Sequence, residues 1–487
     1  MWGLGGLADF MMYNGISGMS NAIFVIGMGM NPKILGLAQS VPRLLDIILD
    51  PIIGHLSDNT RSRFGRRRPW MLAGALVSAV IVVMMWYPPL RFGSLATTVF
   101  VVSMMVLLFS VGYSMFTIPY TAQGYELSTD YNERTHIFKW RIYVAATCGF
   151  LSPWLVRLCL WVEGDAAAQL KGSVGVHWVS FGIAGLILLA ACGPIFGCRE
   201  GGVHRAEKKV RLRDAIKFTS QNGPFRPLLV GNFLVQFGMC VTGVFFFYLM
   251  VYAMSGGDLT LGSTRFAIFC NAINIATFLG MAPMVWLTDR LGKKPMLLAM
   301  MLASAIAYAS VWFTLRPQDA AIVLDVTDFL CRTCRVPRLI AELWPALLTA
   351  AGIGVFCNSM PLVVNSMLAD VCDVDELHCG HRREAFYGAI FVTCNKLALA
   401  MTFFLQGILV EASGYRASLT EQTPETIAYW MKALLLTQPT GFALGFVCVL
   451  FYSITRARAA EVRRLLDARS GMAAALLCGG DIVETGE

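Results

Sequence analysis

Charge is scarce in this sequence. Asp, Glu, Lys and Arg make up 14% of its 487 residues, against roughly 25% in ordinary soluble domains. Mean hydropathy is +0.61, and 56% of residues are hydrophobic, so a water-soluble globule is excluded. Histidine is also scarce. The six residues His55, His136, His177, His204, His378 and His381 fall at the ends of apolar runs or in loops. No His–Asp pair lies within an apolar run, which argues against a membrane enzyme. The 14 cysteines build no disulfide framework. Most stand singly in apolar runs, where a thiol behaves as a small buried hydrophobe. A lone Cys331-x-x-Cys334 suits a disulfide if its loop is on an exported face, and lacks the further ligands that a zinc site needs. The cluster Cys372, Asp373, His378, Cys379 and His381 is read as an ordinary loop without metal.

What is present is a series of long, continuous apolar runs. About 20 such residues cross the hydrocarbon core as a helix, whereas a membrane barrel shows weak ten-residue alternation. Twelve spans are expected, near 3–28, 33–57, 69–88, 95–127, 137–162, 175–198, 226–253, 263–288, 295–315, 345–369, 384–412 and 430–455. The first is read as a span, being too long for a cleavable signal. Basic clusters at Arg61–Arg68, at 199–217 and in the tail after Arg456 all fall on one face, which the positive-inside rule makes cytoplasmic, with both termini. The Arg-containing loop after span nine is the local exception. The net charge of +8 is therefore a matter of orientation and implies no nucleic-acid partner. Residues 318–343 suit a short amphipathic helix, and the tail after Ala459 suits one on the inner leaflet.

The segment 199–224 is the one long polar linker, with six spans on each side. The expected division is 1–198, 199–224, 225–456 and a tail 457–487. The halves echo each other: Asp58 leads into Gly65-Arg-Arg-Arg-Pro69, and Asp289-Arg290 leads into Gly292-Lys-Lys-Pro295. Repeated halves with a substrate between them at the midplane are a transporter pattern. The fold class is an all-α membrane protein of two pseudo-symmetric six-helix bundles, the major facilitator architecture.

Asp46 and Asp50 lie four residues apart in the second run, with Arg43 on the same helical stripe. A charge at mid-membrane costs about 2.5–3.5 kcal/mol on insertion scales, so these residues need a reason. Two carboxylates on one face repel in low dielectric, and a proton or a sodium ion relieves that repulsion. A static network with Lys396 that holds the halves together would use the same residues. Asp9, near Tyr13, Asn14 and Asn21, has the chemistry that grips sugar hydroxyls and stacks on a sugar ring. It also fits a helix-start aspartate at the membrane edge.

Four blocks carry a family resemblance: Arg43-x-x-Asp46-x-x-x-Asp50-Pro51 running into Asp58–Pro69; Ile118-Pro-Tyr120 running into Glu126–Thr135 and Arg141; Met367-Leu-Ala-Asp370 with Arg382-Arg-Glu384; and Lys396-Leu-Ala-Leu-Ala with Gly414-Tyr415. Together they resemble the glycoside–pentoside–hexuronide:cation symporters, the major facilitator branch that includes melibiose permease. The resemblance implies cation-coupled import of a sugar or glycoside by alternating access, in a bacterial inner or plasma membrane, by a monomer with no cofactor beyond the coupling cation (H+ or Na+). It assigns Asp46, Asp50 and Ser114 to the cation, and Asp9, Tyr113, Thr117, Arg141 and Lys396 to the sugar region. Separately from the resemblance, the basic turn after span two can pair with acidic groups at other cytoplasmic helix ends, so Asp58, Arg61, Arg66, Glu126, Asp130, Arg134, Arg382 and Glu384 are expected to form gating ion pairs. Two positions depart from melibiose permease. Thr117 replaces a second sugar-binding aspartate, and Leu49 replaces an asparagine beside the cation, leaving sugar and ion open and tilting the ion towards a proton. A lysolipid or other amphiphile carrier of the same clan, or a non-transporting sensor on this scaffold, are the alternative readings.

Overall fold

The protein is described by a computed structural model covering residues 1–87, 95–127, 131–164, 174–198, 222–239, 242–315, 321–332, 335–379 and 384–479. Among these residues, nine helices are long and apolar enough to cross a membrane, from Ala96–Gly124 through Pro424–Leu450. The first three expected spans stand outside that set for separate reasons. The first, from Trp2 to Gly27, is less apolar, because Asp9, Asn14 and Asn21 interrupt it. The second, Pro32–Asn59, is a continuous helix of 28 residues, about 42 Å long, and carries the charges noted above. The third, Arg68–Met84, is apolar but has only 17 residues.

A repeat that was not evident in the sequence emerges from the backbone. π-Helical turns occur at Met11–Gly15 and Asn21–Gly27 in span one, Leu107–Tyr113 in span four, Leu249–Ala253 in span seven and Ile353–Cys357 in span ten. Every third span carries one, as expected of three-helix units nested within each half. Such turns widen the helix locally and are frequent at functional sites.

The two halves meet closely at the end away from the termini. There span two crosses span eleven (Glu384–Ala412) at a seam of glycines. A Cβ on Gly36 would lie 2.6 Å from the Phe403 carbonyl oxygen, and one on Gly407 would lie 2.6 Å from that of Pro32. Asn31 donates to Glu411 at 2.9 Å beside this seam. Spans five and eight also touch: Asn274 donates to the Gly149 carbonyl at 3.0 Å, and Phe150 stacks on Phe278 with centroids 6.0 Å apart.

The expected loop helix is present as Ala321–Arg332; Cys334 lies outside the described residues. The tail differs from expectation. Helix Arg456–Gly479 packs on Met360–Cys379, the second part of span ten, and Val462 is buried at 1% exposure. Of the apolar residues expected to face the inner leaflet, Val462 therefore docks on protein, whereas Leu465 stays 47% exposed.

Gly407→Leu should force spans two and eleven apart. Spin labels at positions 31 and 411 should then report longer distances than in the native chain; an unchanged distribution would contradict this role for the glycine seam.

Candidate functional site

Three acid–base pairs sit along the inner surfaces of the helices, and each is built differently. The second helix puts Gln39, Arg43, Asp46 and Asp50 on one face by their spacing. Arg43 Nη1 donates to Asp46 Oδ2 at 3.0 Å, with the two side chains 3% and 1% exposed. The guanidinium packs against two rings that meet edge to face, 4.1 Å from the centroid of Tyr13 and 4.7 Å from that of Phe109. Cation–π contacts of this desolvated kind are worth about 2 kcal/mol. Ser110 donates to the Pro42 carbonyl at 3.0 Å, tying the same stretch of span two to span four. Both Tyr13 and Phe109 come from π-helical turns.

One turn further along, Asp50 takes different partners. Ser114 Oγ donates to Asp50 Oδ1 at 2.8 Å. The ammonium of Lys396, from the other half, donates to Asp50 Oδ2. Asp50 and Lys396 keep 27% and 25% of their side-chain surface, so this pair faces open space where the Arg43–Asp46 pair does not. The shared face expected for the two aspartates is present, but one carboxylate is sealed by a fixed cation and the other is held by a lysine and a hydroxyl.

Asp9 forms the third pair. Arg141 Nη2 donates to Asp9 Oδ2 at 3.0 Å and Thr117 donates to Asp9 Oδ1 at 2.7 Å. Asp9 and Arg141 are 18% and 22% exposed. Aspartate nine is thus tied across spans one, four and five and is no isolated helix-start residue. Arg141 also lies 5.1 Å from the Tyr120 ring, which stacks on Trp2 at 4.7 Å. Tyr113 lies beside Tyr13 with centroids 5.6 Å apart, linking the Asp9 cluster to the Arg43 cluster.

The gating set is only partly in view. Asp58 accepts from Arg67 at 3.0 Å, a contact within the basic turn itself, and Arg68 donates to the Cys198 carbonyl at the end of span six. Arg61 is exposed, and Arg66 is partly buried with contacts of its own. Asp130 and Arg382 lie outside the described residues, as do the side chains of Glu126, Arg134 and Glu384.

Sequence reasoning missed the aromatic contacts of Arg43, because Tyr13 and Phe109 are distant in sequence and lie among many apolar aromatics. It also missed Gln39, which is 2% exposed and whose amide atoms have no hydrogen-bond partner among the described residues. Its position seven residues before Asp46 was the available signal.

Residues 1–456 match the family described as MFS/sugar transport protein. The putative glycoside/cation symporter YagG of Escherichia coli is 24% identical, covering 90% of this chain and 87% of that protein. The isoprimeverose transporter of Lactiplantibacillus pentosus is likewise 24% identical, over 88% of this chain and 82% of its own length. Among solved structures, a D-xylose–proton symporter superposes with a TM-score of 0.59 at 17% identity, covering 93% of this chain and 95% of the other. With two helical halves joined by the Asp50–Lys396 pair, and with residues 1–456 matched, the chain belongs to the MFS/sugar transport family.

Proposed function

We infer that the protein is a secondary transporter that moves a sugar or glycoside together with a coupling cation, by alternating access. The observation that carries this reading is the Asp50–Lys396 pair, which joins a carboxylate of one half to an ammonium of the other in a partly open position. A cation at Asp50 competes with Lys396 for the same oxygens, so its arrival loosens a bond between the halves. Cation occupancy and the opening of the molecule are then linked, because a ligand shifts a two-state equilibrium by its differential affinity for the two states. Ser114 supplies a neutral oxygen to the same position. Arg43 neutralises Asp46 permanently, which leaves Asp50 as the exchangeable carboxylate.

The sugar region in this reading is formed by Asp9, Arg141, Thr117, Tyr113 and Lys396. Asp9 and Arg141 offer an acceptor and donors to sugar hydroxyls, and Tyr113 offers a ring face. The names of similar proteins, a glycoside/cation symporter and an isoprimeverose transporter, support a glycoside over an amphiphile. Basic residues at the ends of spans two and twelve and in 199–217 support cytoplasmic termini. In a bacterial plasma membrane, inside negative, each imported charge is driven by about 2.3 kcal/mol per 100 mV.

A thermal-shift screen of the purified protein against mono- and disaccharides, glycosides and uronates, with sodium or at varied pH, should find a sugar whose stabilisation depends on the cation. With that sugar, Asp50→Asn should abolish accumulation against a gradient while the protein still folds; undiminished accumulation would remove the coupling role. Asp9→Ala should weaken sugar stabilisation and leave the cation response intact. A hydrogen bond to a charged group is worth about 1.5–3 kcal/mol, so titration should show affinity roughly ten- to a hundredfold weaker; unchanged affinity would take Asp9 out of the sugar site.

A further inference from the structure

Spans five and six leave a cavity of about 270 Å³ between them, lined by Leu151, Leu155, Leu158 and Val162 on one wall and by Trp178, Gly182 and Leu186 on the other, with Met11 among its lining residues. The wall residues of span five recur at the spacing of one helical face. Leu151, Leu158, Val162 and Trp178 are 46%, 39%, 39% and 65% exposed, so the cavity opens on the outer surface of helices that cross the membrane. Met11 is 0% exposed and lies beneath the surface, at the inner wall of the cavity.

The dimensions fit one kind of occupant. From Leu151 to Val162 the wall rises about 16 Å, close to the roughly 15 Å of hydrocarbon in one leaflet. The end at Val162 and Trp178 lies near the start of span six, where Tyr87, Trp161 and Trp178 are 48%, 66% and 65% exposed. Exposed Trp and Tyr gather at headgroup level, so that end marks the interface of the leaflet away from the termini. The deep end stops at the midplane, where an acyl chain from that leaflet also stops. A soluble sugar has nothing to bond to here, as every lining side chain is apolar or glycine.

We propose that this groove seats one acyl chain of a phospholipid from the leaflet away from the termini, with its tail against Met11. The seat has a route to the transport site. Met11 opens the π-helical turn Met11–Gly15, and the same turn carries Tyr13, whose ring lies 4.1 Å from the Arg43 guanidinium. A chain in the groove braces a turn that also packs against Arg43 of the Arg43–Asp46 pair.

The test uses the full-length protein in phosphatidylethanolamine vesicles with phosphatidylglycerol carrying a mid-chain diazirine, and mass spectrometry maps the photolabelled peptides. Gly182 and Gly185 both have open space where a Cβ would point, but only Gly182 lines the groove. Native protein should be labelled at Met11. Gly182→Phe should lower that labelling several-fold, while Gly185→Phe, equally bulky on the same helix, should leave it unchanged. Labelling confined to outward residues such as Leu189 in the native protein would overturn the proposal without need of any variant. So would Met11 labelling that Gly182→Phe does not reduce, or labelling of Met11 by a free diazirine fatty acid but not by the phospholipid.

Discussion

The carboxylate of Asp50 belongs to the first half of the molecule, and the ammonium that holds it, that of Lys396, belongs to the second. A bond between two bodies that must move against each other stabilises one arrangement over another, so whatever competes for that bond sets the conformation. The pair is not shut away. With about a quarter of each side chain exposed, it escapes the full desolvation penalty of a buried ion pair and can exchange partners. Its neighbour one turn away is the reverse case. Arg43 and Asp46 are almost wholly enclosed, and removing one member of such a pair costs about 3–5 kcal/mol. Two aspartates four residues apart thus have different surroundings: Asp46 is enclosed with the guanidinium of Arg43, whereas Asp50 meets Lys396 in a partly open position.

The backbone makes that division possible. Arg43 is held by rings on Tyr13 and Phe109, and both rings sit on π-helical turns of spans one and four. An extra residue in a turn rotates the side chains that follow, and Ser114, which immediately follows the π turn of span four, points at Asp50. The same distortion recurs in spans seven and ten, so the device belongs to the repeated unit and is not confined to one site.

The broad architecture was legible in the sequence because membrane spans announce themselves by composition and length. Asp46 and Asp50 were legible as well, since charge in a long apolar run is conspicuous, and their shared face follows from helical spacing. Their different fates were not, because they depend on Tyr13, Phe109 and Lys396, residues up to 346 positions away. The pairing of Asp9 with Arg141 and Thr117 was hidden for the same reason: read locally, Asp9 fits a helix start as well as a binding site. The π turns leave no composition signal, since their residues are as apolar as the α-helical ones on either side. The tail helix was read correctly as amphipathic, but amphipathicity does not say whether the apolar strip meets lipid or protein, and Val462 meets protein.

In the proposed mechanism one carboxylate, Asp50, exchanges its cation during transport while Asp46 stays neutralised by Arg43. The most direct measurement is the coupling stoichiometry in proteoliposomes. The accumulation of the identified sugar is followed as the gradient of the coupling cation is varied, with the membrane potential clamped at zero. The account predicts that the logarithm of the accumulation ratio rises with unit slope against the logarithm of the cation gradient. A slope of two would mean that both aspartates exchange, and would contradict it.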